Sequence, residues 1–393
     1  MDQIWLQALT LSAAGAVVYH HALYPRLMKA MGRRSPAAGG TPDGFPALPA
    51  MSVIMPVYNE ARHIDAKLRN LDAQIYPGAR LQVLIGCDGS TDGTAALARR
   101  SAAACRRIDV TVVAYPRNRG KIAVLNDLAA MVTTPLMAFS DASAFIPETG
   151  LAQLALELAR PDTGAAGAGY RPAPDSNPGE RAYWRYQTAV KSGEGRVGGL
   201  LGAHGALYAI RRALFRPLPV HCINDDFVIP FRIAAGGWRT VYRPDIAVRE
   251  REPSPLPVDF ARRLRISRGN AQQLALLATP GLWRRPGLLF CFLSGKVARV
   301  AMPFAMIASF AGSGLLAAES GLFAAAFALQ ALLYTGAGIA GCLPPAQRPG
   351  VLEALRYLVA GHCAGAVGAL RQLASPRGGA WSGALIPTSR QPS

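Results

Sequence analysis

Apolar, strand-like runs alternate with helical patterns through the first third of this chain, and that alternation restricts the fold more than any other feature. Runs at 51–55 (stopped by Pro56), 81–87, 108–115 and 135–140 are separated by helical patterns at about 60–73, 93–104 and 121–132. Ser90-Thr91-Asp92 is a natural N-cap for the second of these helices. A strand that returns through a helix comes back parallel, and parallel strands are apolar on both faces because helices cover both. The expected fold is therefore an α/β domain on a mostly parallel, Rossmann-like sheet. Ligands of such sheets bind outside the carboxyl ends of the strands. Asn59, Asp88 and Asp141 each follow an apolar run and so converge on one crevice, and the Asp225-Asp226 pair follows another such stretch.

Acid is scarce here, which sharpens the meaning of those carboxylates. The 393 residues hold 42 Lys+Arg against 24 Asp+Glu, a net charge of +18, and 51% are hydrophobic. This balance fits a membrane-bound enzyme. The basic residues are scattered or flank apolar segments, without a long run or an aromatic-interleaved stripe, so nucleic acid is not an expected partner. The six cysteines (87, 105, 222, 291, 342, 363) form no C-x-x-C pair or Cys/His cluster, which argues against zinc and disulfides and for reduced thiols.

Residues 4–24 are mostly apolar and long enough to span a bilayer. No Lys or Arg precedes them, whereas Arg26, Lys29, Arg33 and Arg34 follow at once. A signal peptide has its basic residues first, so a retained helix with its N-terminus outside is expected. Two further spans are expected at 300–318 and 321–342, separated by a turn whose one charge is Glu319. Arg284, Arg285, Lys296 and Arg299 before them and Arg348 and Arg356 after them place residues 30–295 in the cytoplasm, beneath the inner membrane. The stretch 357–370 is apolar but short and is expected to lie in the interface, with Arg371, Arg377 and Arg390 in the tail. The expected organisation is a transmembrane helix (1–25), a basic segment and Pro/Gly/Ala linker (26–50), a soluble domain (51–280), an interfacial segment (281–299), two transmembrane helices (300–343) and an interfacial helix with a basic tail (344–393).

A nucleoside diphosphate is highly anionic, and its site needs a divalent cation or several basic groups. Mg²⁺ and Mn²⁺ prefer carboxylate oxygen and keep positions open for phosphate. Asp141 and Ser143, two apart on an extended segment, point to one side and form a candidate cation site. A helix cap needs only one of Asp225 and Asp226, which leaves the other free to act as a base. Arg262, Arg263, Arg265 and Arg268 form a basic helix suited to a departing diphosphate or an anionic membrane surface. Gly193-Glu-Gly195-Arg-Val-Gly198 matches G-x-G-x-x-G but lacks the strand-turn-helix setting of a dinucleotide site, and no P-loop occurs.

At these residues the chain resembles the membrane-bound family 2 glycosyltransferases, which have a GT-A fold and are related to cellulose and poly-N-acetylglucosamine synthases. The resemblance covers about 52–273 and continues loosely through the C-terminal helices. It rests on Pro56-Val57-Tyr58-Asn59-Glu60, Cys87-Asp88-Gly89-Ser90-Thr91-Asp92-Gly93-Thr94, Asn118-Arg-Gly120-Lys121 with Leu125-Asn126, Phe139-Ser140-Asp141-Ala142-Ser143, Gly202-Ala203-His204-Gly205-Ala206 with Arg211-Arg212, Asp225-Asp226, and Arg262 to Ile266. The resemblance implies an inverting glycosyltransferase. Pro56, Asn59, Glu60, Asp88, Gly120, Lys121 and Asn126 would hold a nucleotide sugar, most simply uridine-linked. Asp141 and Ser143 would bind Mg²⁺ or Mn²⁺, His204 and Gly205 would line the acceptor side, Asp226 beside Asp225 would be the base, and Arg262 and Arg265 would stabilise the leaving diphosphate. The implied acceptor is lipid-linked or a glycan, in cell-surface polysaccharide synthesis, with membrane lipids and an assembly system as partners. Four positions depart from the family pattern: Cys87 and Ser143 stand where acids are expected, Arg262 stands where a Gln is, and Ile266 replaces an aromatic residue. The last departure and the small number of spans weigh against a processive polysaccharide synthase. Retention of Asp141, Asp226 and Arg265 weighs against a non-catalytic scaffold of a polysaccharide assembly complex.

Overall fold

The fold is that of a computed structural model, which describes residues 2–32, 47–176, 178–250, 256–344 and 347–376. Most of the expected linker at 35–50, and Arg377 and Arg390 of the tail, lie outside the described residues. Eight strands form one sheet: β1 (Met51–Val57), β2 (Leu81–Asp88), β3 (Ile108–Tyr115), β4 (Leu136–Phe139), β5 (Ala144–Phe145), β6 (Thr163–Arg171), β7 (Tyr208–Arg211) and β8 (Arg239–Glu250), in the order β3-β2-β1-β4-β7-β6-β8-β5. Helices α1 (Asp2–Val18) and α2 (Tyr24–Gly32), joined by a π-helical turn over Tyr19–Leu23, precede it. Helices α3 (Ala61–Asp72), α4 (Thr94–Ala104), α5 (Lys121–Met131), α6 (Gly150–Ala159), α7 (Pro178–Val197) and α8 (Asp225–Ala235) lie between strands. After the sheet come α9 (Leu256–Gln272), α10 (Pro280–Trp283), α11 (Pro286–Phe292), α12 (Ala298–Leu315), α13 (Gly321–Cys342) and α14 (Gly350–Ala374).

The parallel expectation holds for one half of the sheet. Strands β3, β2, β1 and β4 are mutually parallel, while β7 runs antiparallel to both β4 and β6, β6 is parallel to β8, and β5 is antiparallel to β8. Side chains alternate across the sheet as the two-residue period requires. Val53 and Met55 join Ile64, Leu68 and Leu71 of α3 on one face, and Ile54 joins Leu125 and Leu128 of α5 on the other. Pro56 does not stop its strand: β1 continues to Val57, paired with β2. Ile54 faces β4, giving its carbonyl to the Ser140 amide. Two residues on, Pro56 faces the same side, where pairing with β4 has already ended, so its missing N–H leaves no ladder bond unmade.

Two helices among the described residues are long and apolar enough to cross a membrane, Pro286–Leu315 and Gly321–Cys342. The first begins earlier than expected and absorbs most of the segment expected to be interfacial: α11, a π-helical segment at Leu293–Val297 and α12 form one 30-residue helix. At 1.5 Å per residue it is about 45 Å long, more than a hydrocarbon core of about 30 Å. Its first turns belong to the soluble core, where Phe292 meets Phe231 at 4.8 Å between ring centres. The N-terminal helix is not among the two, because Gln7, Thr10 and His20-His21 dilute its apolar character. It lies along α12 with Thr10 against Gly312, and the His21 ring meets that of His362 with 2.9 Å between their Nε2 atoms. Helix α14 spans 25 residues rather than the short stretch expected. It packs along α9, with the Arg263 guanidinium 3.6 Å from the centre of the Tyr357 ring.

Candidate active site

The carboxyl edge of β2, β1 and β4 gathers the loops that sequence singled out. Asp88, buried at the end of β2, accepts the backbone amides of Arg119 (2.6 Å) and Gly120 (2.8 Å), one on each carboxylate oxygen. It therefore fixes the turn that starts α5. Asn59 sits at φ 54°, a left-handed conformation that Asn tolerates, and its Oδ1 accepts the Thr91 amide at 2.8 Å. Glu60 pairs with His63 (2.7 Å) and gives its own amide to Thr94 Oγ1 (2.9 Å). The expected cap acts one residue early: Asp92 accepts the Thr94 amide at 3.0 Å although Gly93 holds the cap position. The side-chain amide of Asn126 is engaged at both ends with the Leu218 backbone. Asn126 thus ties α5 to the backbone at Leu218.

Lys121, the first residue of α5, reaches the centre of the crevice. Its ammonium lies 3.5 Å from Asp141 and 3.3 Å from Asp225, joining the acid beyond β4 to the acids that open α8. Burial opposes its charge, but Asp225, Asp141 and Asp226 outweigh it and hold the lysine above its ordinary pKa. Asp225 is 5% exposed and committed to this pair, while 44% of the Asp141 side chain faces the crevice. Burial tends to raise Asp141, yet Lys121, with Arg262 and Lys67, holds it below the usual carboxylate range. Asp226 goes the other way, because burial and then Asp225 raise it against the pull of Lys121 and Lys191. Two neighbouring acids with opposed environments are the usual setting for a base beside a fixed counter-charge.

Helix α9 closes the crevice. Asn224, which precedes α8, donates to the Ile266 carbonyl (3.3 Å), and Gly269 presses against the same Asn224 side chain. This docking brings Arg265 within electrostatic range of Asp226, Asp225 and Asp141, with Arg262 beside it. In the loop before β7, His204 stacks on Tyr170 at 3.9 Å and meets Trp184 edge-on at 4.9 Å. The Ala206 amide donates to His204 Nδ1 (3.1 Å), which leaves Nε2 to carry the proton of a neutral ring. Burial, then Arg262, lowers its pKa to about 3. An aromatic platform is thus present, but on β6 and α7 rather than at Ile266.

Lys67 is a functional candidate that sequence reasoning passed over. It is 0% exposed on α3, and its ammonium donates to Ser140 Oγ (2.7 Å) and to the Ala144 carbonyl. It thereby clamps both ends of the loop that carries Asp141 and the half-buried Ser143. Ser140 in turn donates to the Ala206 carbonyl (2.7 Å), joining that loop to the His204 loop. The signal was in the sequence: Lys67 falls on the stripe Ile64, Lys67, Leu68, Leu71, where an i, i+3, i+4, i+7 pattern places core residues. Lys191 plays a parallel part on α7, donating to the carbonyls of Gly202 and Ala203, while the Ala203 amide donates to the Asp226 carbonyl (2.9 Å).

No three His, Cys, Asp or Glu side chains group as a metal site among the described residues. Asp141 is the one carboxylate of the expected cation pair, with the half-buried Ser143 two residues on. A Cβ added at Gly205 would sit 3.0 Å from Asp141 Oδ2, so glycine is what keeps that oxygen approachable. One open carboxylate with the remaining positions left to phosphate and water is a set that Mg²⁺ and Mn²⁺ accept. All six cysteines are free thiols.

Residues 52–218 match the family model described as Glycosyl transferase family 2. The chain is 34% identical over 94 residues, 24% of its length, to "Glycosyltransferase AglE" of Haloferax volcanii, of which the match spans 30%. It is 26% identical over 299 residues to an "N-acetylglucosaminyltransferase" of Rhizobium meliloti, covering 70% of this chain and 68% of that protein. Among solved structures, the mannosyltransferase PcManGT of Pyrobaculum calidifontis, in complex with GDP-Man and Mn²⁺, superposes with a TM-score of 0.68 at 26% identity over 92% of this chain and 98% of that one. The crevice at the strand ends thus lies in a segment that matches Glycosyl transferase family 2, on a GT-A-like fold similar to that of a mannosyltransferase.

Proposed function

We propose that the enzyme is an inverting, membrane-bound glycosyltransferase that passes a sugar from a nucleotide donor to a lipid-linked or glycan acceptor. The observation that carries this is the gathering of Asp141, Asp225 and Asp226 around Lys121 at the carboxyl edge of the sheet. Asp226, raised by burial and by Asp225, takes the proton of the acceptor hydroxyl. That oxygen attacks the anomeric carbon as the bond to the diphosphate breaks on the opposite face, so configuration inverts without a protein nucleophile. Lys121 and Arg265 stabilise the charge that builds on the leaving diphosphate. Asp141, with Ser143 beside it, would hold Mg²⁺ or Mn²⁺, which would neutralise part of the diphosphate charge. The Tyr170–His204–Trp184 stack offers a face for an acceptor sugar ring.

GDP-mannose, the ligand of PcManGT, is the first donor to test, ahead of the uridine-linked donor implied by sequence. The decisive measurement is nucleoside diphosphate release across guanosine- and uridine-linked sugars, with Mn²⁺ and with chelator, for the wild type and Asp226→Asn. One donor should be turned over, chelator should abolish release, and the variant should lose at least about a hundredfold in kcat. Equal release from both proteins would reject Asp226 as the base.

A further inference from the structure

The helix Pro286–Leu315 is interrupted by the π-helical segment Leu293–Val297, and this segment meets the other π-helical turn among the described residues, Tyr19–Leu23. The two are tied at Ser294: its hydroxyl bonds the Tyr19 hydroxyl (2.7 Å), and its carbonyl accepts from His20 Nδ1 (3.2 Å). A π turn holds one residue more than an α turn and so re-aims the side chains around it, which is why such turns recur at functional sites. The charged side chains at this one are Lys296 and Arg299.

The Lys296 ammonium lies 4.4 Å from the centre of the Phe227 ring, and Phe227 directly follows Asp226. Arg299 is within electrostatic range of Lys296 and of Lys191. Lys191 spends its ammonium on the Gly202 and Ala203 carbonyls. Lys296 and Arg299 are half-buried, yet neither has a hydrogen bond or ion pair among the described residues. One acid, Glu194, is in range of both, and its Oε1 already accepts the Tyr24 hydroxyl at 2.7 Å. A Cβ at Gly295 would sit 2.7 Å from that oxygen, so glycine lets the Glu194–Tyr24 pair close against the helix. Two neighbouring cations that repel each other and lack a partner call for an anion that the chain does not supply.

Asp226 stands between this pair and the cations of the donor side. Lys121 and Arg265 face Asp141, Asp225 and Asp226 together, whereas Lys296 faces Glu194 and Asp226. Inversion brings the attacking hydroxyl to the face of the anomeric carbon opposite the diphosphate. A ligand group on Lys296 and Arg299 therefore belongs to the acceptor.

We propose that Lys296 and Arg299 seat a phosphate carried by the acceptor, across Asp226 from the donor diphosphate, so that the acceptors are phosphate-bearing glycans. The inference deepens the function proposed above and rests on Asp226 being the base that faces the acceptor. Two unclaimed positive charges suit a doubly charged phosphate better than a single carboxylate, and the arginine fork donates to two of its oxygens. A phosphate linked to a lipid and one on a soluble glycan share this chemistry.

The test titrates the full chain in phosphatidylcholine nanodiscs, without donor, with farnesyl phosphate, farnesol or inorganic phosphate, and reads the thermal unfolding midpoint. Farnesyl phosphate should raise the midpoint of the wild type saturably and farnesol should not. Lys296→Met and Arg299→Gln should each weaken the apparent affinity about tenfold, Arg299→Lys should recover most of it, and Arg196→Gln should respond as the wild type does. A response to inorganic phosphate with the same dependence on Lys296 and Arg299 would uphold the seat and assign it to a soluble acceptor. A response equal in wild type and both variants, or no response to either phosphate, would overturn the proposal. Nucleoside diphosphate binding reports whether each variant is folded, and either variant alone decides. The function proposed above is judged apart: turnover of no donor sugar defeats that function, whereas donor turnover with no phosphate response that depends on Lys296 or Arg299 defeats the seat alone.

Discussion

At the level of single residues, the crevice is organised by lysines rather than by its acids. Lys121 joins the carboxylates at the ends of two elements, and Lys67 holds the loop that presents one of them. The base proposed at Asp226 works only when ionised. Because burial and Asp225 raise its pKa, the acid limb of log kcat/KM should fall above the value near 4 of an ordinary carboxylate; a limb at or below that value would contradict the proposed role. Lys67→Met should slow donor turnover by roughly tenfold to a hundredfold by loosening the Asp141 loop. Burial lowers Lys67 from 10.5 to about 7, so between those values the unfolded chain binds a proton that the folded chain does not. The stability contributed at this site accordingly rises with pH across that window and is flat below it. The thermal midpoint of wild type should therefore rise relative to that of Lys67→Met from pH 7 to 9, and a difference that falls or stays constant would contradict this. Most of the acids were legible because they end apolar runs in a basic chain. Lys67 was hidden because a lysine on a helix is normally read as solvent-facing.

Among elements, the decisive contact is α9 on the start of α8. Arg265 sits near the acids only because Asn224 and Gly269 allow the two helices to meet. Gly269→Leu should force them apart and lower kcat toward that of Arg265→Ala, about a hundredfold below wild type. Donor binding measured by nucleotide titration should change little, because the loops of β1, β2 and α5 are untouched. Strands β1 to β4 and helices α3 to α5 could be read from the alternation of apolar runs. The second half of the sheet could not, since β5 and β7 are only two and four residues long and their pairing is set by distant partners. The same holds for the aromatic platform: the position of Ile266 pointed to its loss, whereas β6 and α7 supply it through Tyr170 and Trp184.

For the whole molecule, the catalytic domain and the apolar helices share one packed core. Phe227 and Phe231 of α8 contact Phe292 of the helix Pro286–Leu315, and Tyr24 of α2 donates to Glu194 of α7 (2.7 Å). The full chain should resist extraction by alkaline carbonate, measured by sedimentation of vesicles, and detergents that strip the apolar helices should inactivate it. Sequence by itself determined the parallel half-sheet, the acids on its carboxyl edge, the likeness of residues 52–218 to family 2 glycosyltransferases and the apolar pair of helices, because period, spacing and local turn chemistry are written within a few residues of each other. Only the tertiary structure decided that Asp88 braces a turn, that Lys121 bridges the acids, that Lys67 lies beneath their loop and that the first apolar helix begins inside the soluble core. Each of those depends on contacts between residues distant along the chain, 31 apart for Asp88 and Arg119 and 73 apart for Lys67 and Ser140, and burial there sets both the charge of a side chain and the partner it finds.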